Sequence, residues 1–118
     1  MENPLRDCLG FRMGSAYRRI DRVFNRGFAG IGLSHGHGYI LSCLLVAGEQ
    51  RVTEVAARTG FEQSTVSRLV KELARRKLVR RRRDPADGRA VLLRPASRAE
   101  KLRAEIEGIL RRAEESTR

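Results

Sequence analysis

Tryptophan is absent from this sequence, and aromatic residues make up only 5% of its 118 residues. Any core must therefore rest on Leu, Val, Ile and Ala. Cysteine occurs twice, at Cys8 and Cys43, in no Cys-x-x-Cys or Cys/His ligand pattern. That excludes a disulfide framework and points to a reducing cytoplasm. Long apolar runs are missing as well. The stretch "YILSCLLVAG" is too short to span a bilayer, and Arg6, Asp7 and Arg12 interrupt any signal-peptide core. There is no Gly-rich phosphate loop, no ordered Ser/His/Asp set and no carboxylate pair in an apolar setting, so neither an enzyme nor a cofactor is expected.

Acidic residues are the scarcer charge, 14 against 25 Lys and Arg, which leaves a net charge of +11. Such an excess calls for a polyanionic partner, nucleic acid first and an acidic membrane surface second. The charge gathers at residues 75–83 within "QSTVSRLVKELARRKLVRRRRDPADGRA". A length of 118 residues fits one domain with one modest core.

Apolar spacing predicts a first helix from Pro4 to Arg26, with Asn3 as N-cap and Leu5, Leu9, Met13, Ala16, Ile20, Val23 and Phe24 on its stripe. Gly10 and Gly14 weaken it, and the glycines of "RGFAGIG" end it. A second helix begins near Ser34, and its stretch "YILSCLLVA" is apolar nearly all round, which reads as buried. Thr53 is read as the cap of a short third helix that Gly60 stops. A fourth covers Gln63 to Lys77. The Asp-Pro and Asp-Gly signals of "DPADG" then join two strands into a hairpin. A last helix starts at Ser97, where Ser97 and Glu100 match a capping box, and carries Leu102, Ile106, Ile109, Leu110 and Ala113 on one stripe. The fold class is mainly α with a small β-hairpin.

Ala56, Gly60, Val66 and Leu69 have the spacing of a helix-turn-helix. A small residue sits at the crossing, a glycine supplies the turn, and two apolar residues close the angle. Val66, Leu69, Val70 and Leu73 cluster on one face of the fourth helix at about 100° per residue. The opposite face carries Ser64, Arg68, Lys71 and Arg75, with Ser67 on its flank. Such a helix fits a major groove about 12 Å wide. Gln63, Ser64 and Thr65 suit close approach, Arg68 suits bidentate contact with guanine, and Lys71 and Arg75 suit phosphates. Apolar anchors on both sides of the arginine run argue for pinned strands that project Arg89, beside Arg83, toward a minor groove. Asp84 and Asp87 are expected to orient Arg89 or Arg83 by a salt bridge and to fix the loop.

From Leu33 to Leu102 the sequence resembles the MarR family of winged helix-turn-helix transcription regulators. "STVSRLV" and the wing motif Asp84, Asp87, Arg89 carry the likeness. The resemblance implies a homodimer on a pseudo-palindromic operator of double-stranded DNA. Gln63, Ser64, Thr65, Ser67 and Arg68 would read the major groove, with Arg89 in the minor groove. It implies one winged-helix domain over 1–118, with dimerisation helices at 1–32 and 96–118 around a core at 33–95. It also implies ligand-responsive repression by a small phenolic or lipophilic effector, held between the dimer-forming and DNA-binding parts near Tyr17, Arg18, His35, His37 and Tyr39.

Three departures accompany it. Lys77 stands where the family usually has glycine, Pro95-Ala96 replaces a Leu-Thr pair, and the family pattern runs one helix past the point reached at Arg118. Read without the family, Tyr17 and Tyr39 are packing residues, and His35 and His37 are helix-start and surface histidines rather than a metal pair. Cys43 packs. Cys8 lacks the second-helix tyrosine of oxidant-sensing relatives, whose place Gly38 takes. The competing readings are a non-specific basic architectural or RNA-associated protein, and a protein-interaction module.

Overall fold

The first helix starts later than its apolar spacing predicts. In the computed structural model, which describes residues 3–118, Asn3 Oδ1 accepts the Leu5 N–H at 3.0 Å. That local bond competes with helix. The expected start at Pro4 is displaced, and helix α1 runs over Leu9–Ala29 with Cys8 as its N-cap. Nor do the glycines end it at Arg26. Gly27 lies inside the helix, where a Cβ would stand 3.0 Å from Ile109, and the chain turns only at Gly30 and Gly32.

Helix α2 covers His35–Ala47, followed by strand β1 (Gln50–Arg51), helix α3 (Val52–Thr59) and helix α4 (Gln63–Arg75). Strands β2 (Val79–Asp84) and β3 (Asp87–Pro95) form the hairpin, and helices α5 (Ser97–Lys101) and α6 (Arg103–Thr117) complete the order. The fold is mainly α with a small antiparallel sheet, of strand order β1-β3-β2. Among the described residues no helix is long and apolar enough to cross a membrane.

The chain divides into two units. One is the described part of Met1–His35 together with Ile109–Arg118. Phe24 and Phe28 are buried there, and Ile109 meets α1 at Gly27. The expected apolar stripe is covered only at its C-terminal end, at Val23 and Phe24; Leu9 is 67% exposed and Met13 63%, with Leu5, Ile20 and the neighbouring Tyr17 also open.

The other unit, Gly36–Gly108, holds the helix-turn-helix and the sheet. Its core is Ile40, Leu41, Leu44, Val55, Val66, Leu69, Val70, Leu73, Leu78, Val79 and Leu93, all buried. Helix α2 is mostly buried, as expected, with Val46 at its C-terminal end 82% exposed. Arg51, not Thr53, caps α3, its N–H bonding the Glu54 carboxylate at 3.0 Å. Gly60 stops α3 as expected, with a left-handed φ of 78° and its N–H on the Ala56 carbonyl.

Helix α4 ends two residues before the expected Lys77, because the chain there turns left-handed. Lys77 has φ 61°, and the Leu78 N–H closes back onto the Leu73 carbonyl at 3.0 Å. This is the glycine position of a helix-ending Schellman turn. A Cβ in that conformation costs roughly 1–2 kcal/mol, part of which glycine would return as lost unfolded-state freedom. Lys77→Gly is expected to raise unfolding free energy by about 0.5–1 kcal/mol in a urea titration.

The single last helix expected from Ser97 is two. Leu102 interrupts it after α5, and Arg103 Nη2 donates to the Leu45 carbonyl at 2.7 Å, which caps the end of α2. Ala96 is the N-cap of α5 and no side chain bonds there, so Ser97 and Glu100 form no capping box. Glu100 pairs with Arg103 instead, at 3.4 Å.

Candidate nucleic-acid interface

Helix α4 buries one face and opens the other. Val66, Leu69, Val70 and Leu73 are buried, whereas Gln63, Ser64, Ser67, Arg68, Lys71 and Arg75 are exposed and Thr65 is half-buried. The 3.6-residue period produces this split. The small polar residues stand in the first turns and the long cations toward the C-terminal end.

The hairpin brings Arg89 to the same place. Gln63, Ser67 and Arg89 line one cleft of about 350 Å³ with Arg51, Thr53 and Asp87 among its other walls. Arg89 reaches it because the ladder slips near the tip. Arg83 pairs with Val91 and Asp84 with Asp87, so Gly88, Arg89 and Ala90 of β3 stand between the two partners. The turn itself is Pro85-Ala86. A bulge of this kind re-aims a side chain away from strand alternation. Arg83 and Arg89 are both exposed.

The acids of the wing fix the loop as expected, through backbone N–H groups, but not by a salt bridge to a wing arginine. Asp84 forms no salt bridge with Arg89 or Arg83. Its carboxylate accepts from Arg51 at 2.6 and 3.0 Å and from the Ala86 N–H at 2.9 Å. Asp87 accepts the Arg89 backbone N–H at 3.1 Å, so it shapes the bulge rather than pairing with a guanidinium. The Asp84 carboxyl is held below its ordinary range, first by the Ala86 N–H and then by Arg51. A carboxyl lowered in this way stabilises the fold above its ordinary value, about 3.9, and that contribution is lost as pH falls through the lower folded value. Asp84→Asn is expected to speed amide exchange at Ala86 and Arg89 at neutral pH. The difference from the unchanged protein should fade as the solution is acidified past the ordinary aspartate value.

Arg51 is the residue that the sequence pattern does not single out. Two polar residues give no strand signal, and Glu54 three positions on is the one mark of the local cap. A second unforeseen link runs from α2 to α4. His37 Nε2 meets Glu72 Oε2 at 2.7 Å, and Arg68 Nη1 lies 3.5 Å from Glu72 Oε1. The His37 hydrogen bond is the largest cause holding the Glu72 carboxyl below its ordinary range. Glu72 is thereby drawn to α2, away from the open face of α4.

The two histidines are buried, not surface residues. His35 is 1% exposed, its Nδ1 lies 2.8 Å from Asp21 Oδ1, and its N–H bonds Asn25 at 2.7 Å. The His35 ring stacks on Phe24 at 4.3 Å and on Tyr17 at 6.4 Å. Tyr17 itself remains 50% exposed, so packing describes it only in part. Arg18 lies over the Phe11 ring at 5.8 Å, and Tyr39 stacks with Phe61 at 6.3 Å. Cys43 is half-buried beside Gln50, and Cys8 is exposed. Among the described residues no group of three or more His, Cys, Asp or Glu is placed to hold a metal ion.

Known proteins resemble this chain in sequence and fold. A family model described as the MarR family matches residues 31–90. The HTH-type transcriptional regulator MgrA of Staphylococcus aureus is 26% identical over 106 residues, covering 89% of this chain and 72% of its own. The structure of Bordetella bronchiseptica BpsR, described for regulation of its DNA binding by 6-hydroxynicotinic acid, superposes with a TM-score of 0.87 at 25% identity, over 99% of this chain and 84% of that one. A probable transcriptional regulator from Pseudomonas aeruginosa superposes with a TM-score of 0.75 at 30% identity, over 92% and 84%.

Proposed function

Because this chain belongs to the MarR family of DNA-binding transcriptional regulators, we propose that it reads a specific operator with α4 in the major groove and Arg89 in the adjacent minor groove. The observation that carries the reading is the shared cleft of Gln63, Ser67 and Arg89. A groove-bound helix and a minor-groove arginine must act side by side on one duplex, and these residues do stand side by side. Gln63, Ser64, Thr65, Ser67 and Arg68 are the base-reading set; Lys71, Arg75 and Arg83 bind phosphates. Asp84 and Asp87 support the wing from behind.

The working unit is a homodimer. Leu9, Met13, Tyr17 and Ile20 recur at helical spacing on α1 and are exposed, and a second copy covers them. Residues 33–95 are the DNA-binding core, and 1–32 with 96–118 hold the two copies together. A two-fold dimer reads a pseudo-palindrome, with half-sites about 34–36 Å apart. Repression is released by a small phenolic or lipophilic effector. The effector described for BpsR supports a ligand of that size.

Selection of bound sequences from random duplex DNA tests this reading. The expected result is an inverted repeat bound roughly 10³-fold or more tighter than random sequence at the same salt. Steep salt dependence with no sequence preference would instead identify a basic architectural protein.

A further inference from the structure

We propose that the solvent face of the sheet, built on Arg80, Arg82 and Arg94, is a second anion site, which takes a chain of linked phosphates. In the β2–β3 register Arg80 stands directly opposite Arg94. Like charges in that position destabilise a sheet. Among the described residues neither forms an ion pair. Arg80, Arg81, Arg82 and Arg94 alone line a cleft of about 260 Å³. Arg81 reaches it round the edge of the sheet, since β2 is the edge strand.

The acid nearest this cluster is Glu49. It holds Arg82 by two hydrogen bonds, at 3.1 and 2.7 Å. That pair fixes the Arg82 guanidinium in place. Glu49 also attracts Arg94 through space, and one carboxylate does not balance the cluster. A flat guanidinium fork fits phosphate oxygens two at a time. Cross-strand neighbours lie about 4.5–5.5 Å apart at Cβ, and residues two apart on a strand roughly 6.6–6.8 Å. Linked phosphates offer more oxygens than one orthophosphate, so they can engage more of these guanidinium groups at once and neutralise the opposed pair.

The site shares no lining residue with the cleft of Gln63, Ser67 and Arg89. Arg81 pairs across the ladder with Leu93, which is fully buried. Strand alternation therefore turns Arg80, Arg82 and Arg94 to the other side of the sheet, away from that buried layer. An anion bound there leaves the cleft of Gln63, Ser67 and Arg89 free.

Calorimetric titration with inorganic tripolyphosphate tests the site, with orthophosphate and ATP at matched ionic strength. Tripolyphosphate should bind saturably, at least about tenfold tighter than orthophosphate. ATP binding at least as tight names nucleotides as a source; weaker ATP binding names inorganic polyphosphate. Arg94→Glu should lower tripolyphosphate affinity tenfold or more and keep or raise Tm, because Arg80 then faces an acid. Arg80→Ala should also weaken it, and the charge-matched control Arg58→Glu should not. Equal binding by Arg94→Glu and the unchanged protein would overturn the site. So would equal losses in Arg94→Glu and Arg58→Glu, orthophosphate binding as tight as tripolyphosphate, or random duplex DNA as the only anion that Arg94→Glu weakens. The DNA selection is read separately, so either proposal can fail alone.

Discussion

A chain carrying Met13→Glu should stay folded, run as a monomer at micromolar concentration, and bind its operator far more weakly. Met13 is 63% exposed in the single chain, so the change touches no core. In the proposed dimer it is covered, and two-fold symmetry places the substitution at both copies. Burying a methionine contributes about 1.5–3 kcal/mol. Losing that twice weakens dimerisation by roughly 10²–10⁴-fold, before the added cost of desolvating two carboxylates. Sedimentation at several concentrations reads the mass, and circular dichroism reads the fold. An unchanged dimer would move the interface off α1.

Arg68→Ala should cost about 1–3 kcal/mol of specific binding and relax base choice at one operator position in each half-site. Its side chain is 64% exposed and only weakly tied to Glu72, so removing it changes stability little. The loss thus appears in the complex. The His37 bond already draws Glu72 inward, which keeps a carboxylate off the phosphates and leaves the guanidinium available to a base. Arg89→Ala is the contrast: affinity falls while major-groove preference persists. Competition binding with operators changed one base pair at a time separates the two. A flat profile for Arg68→Ala, matching the unchanged protein in base preference, would remove that residue from the reading set.

The elements legible in the sequence are those fixed by short-range physics. Helix α4 follows from the spacing of Val66, Leu69, Val70 and Leu73, all buried as expected. The stop at Gly60 follows from a turn that needs φ 78°, and the hairpin from Asp-Pro between branched and charged strands. What stayed hidden depends on partners distant in sequence. His35 and His37 are buried because Asp21 and Glu72, 14 and 35 positions away, accept them. Arg51 matters because Asp84 lies 33 positions on. Asn3, Ser97 and Leu102 illustrate another gap. Each helix end was open to competing local bonds, and sequence alone did not rank them. Of the candidate site, the exposed face of α4 and the projection of Arg89 were visible; the cleft that joins them was not.

The slipped ladder near the wing tip leaves room for a change of length in the wing. Pairing below it is anchored at Arg83 with Val91, and pairing above it at Asp84 with Asp87. Gly88, Arg89 and Ala90 can therefore gain or lose a residue without inverting either strand. The segment works as an adjustable spacer, so the reach of the wing toward DNA can be retuned by length while the fold beneath it stays as it is.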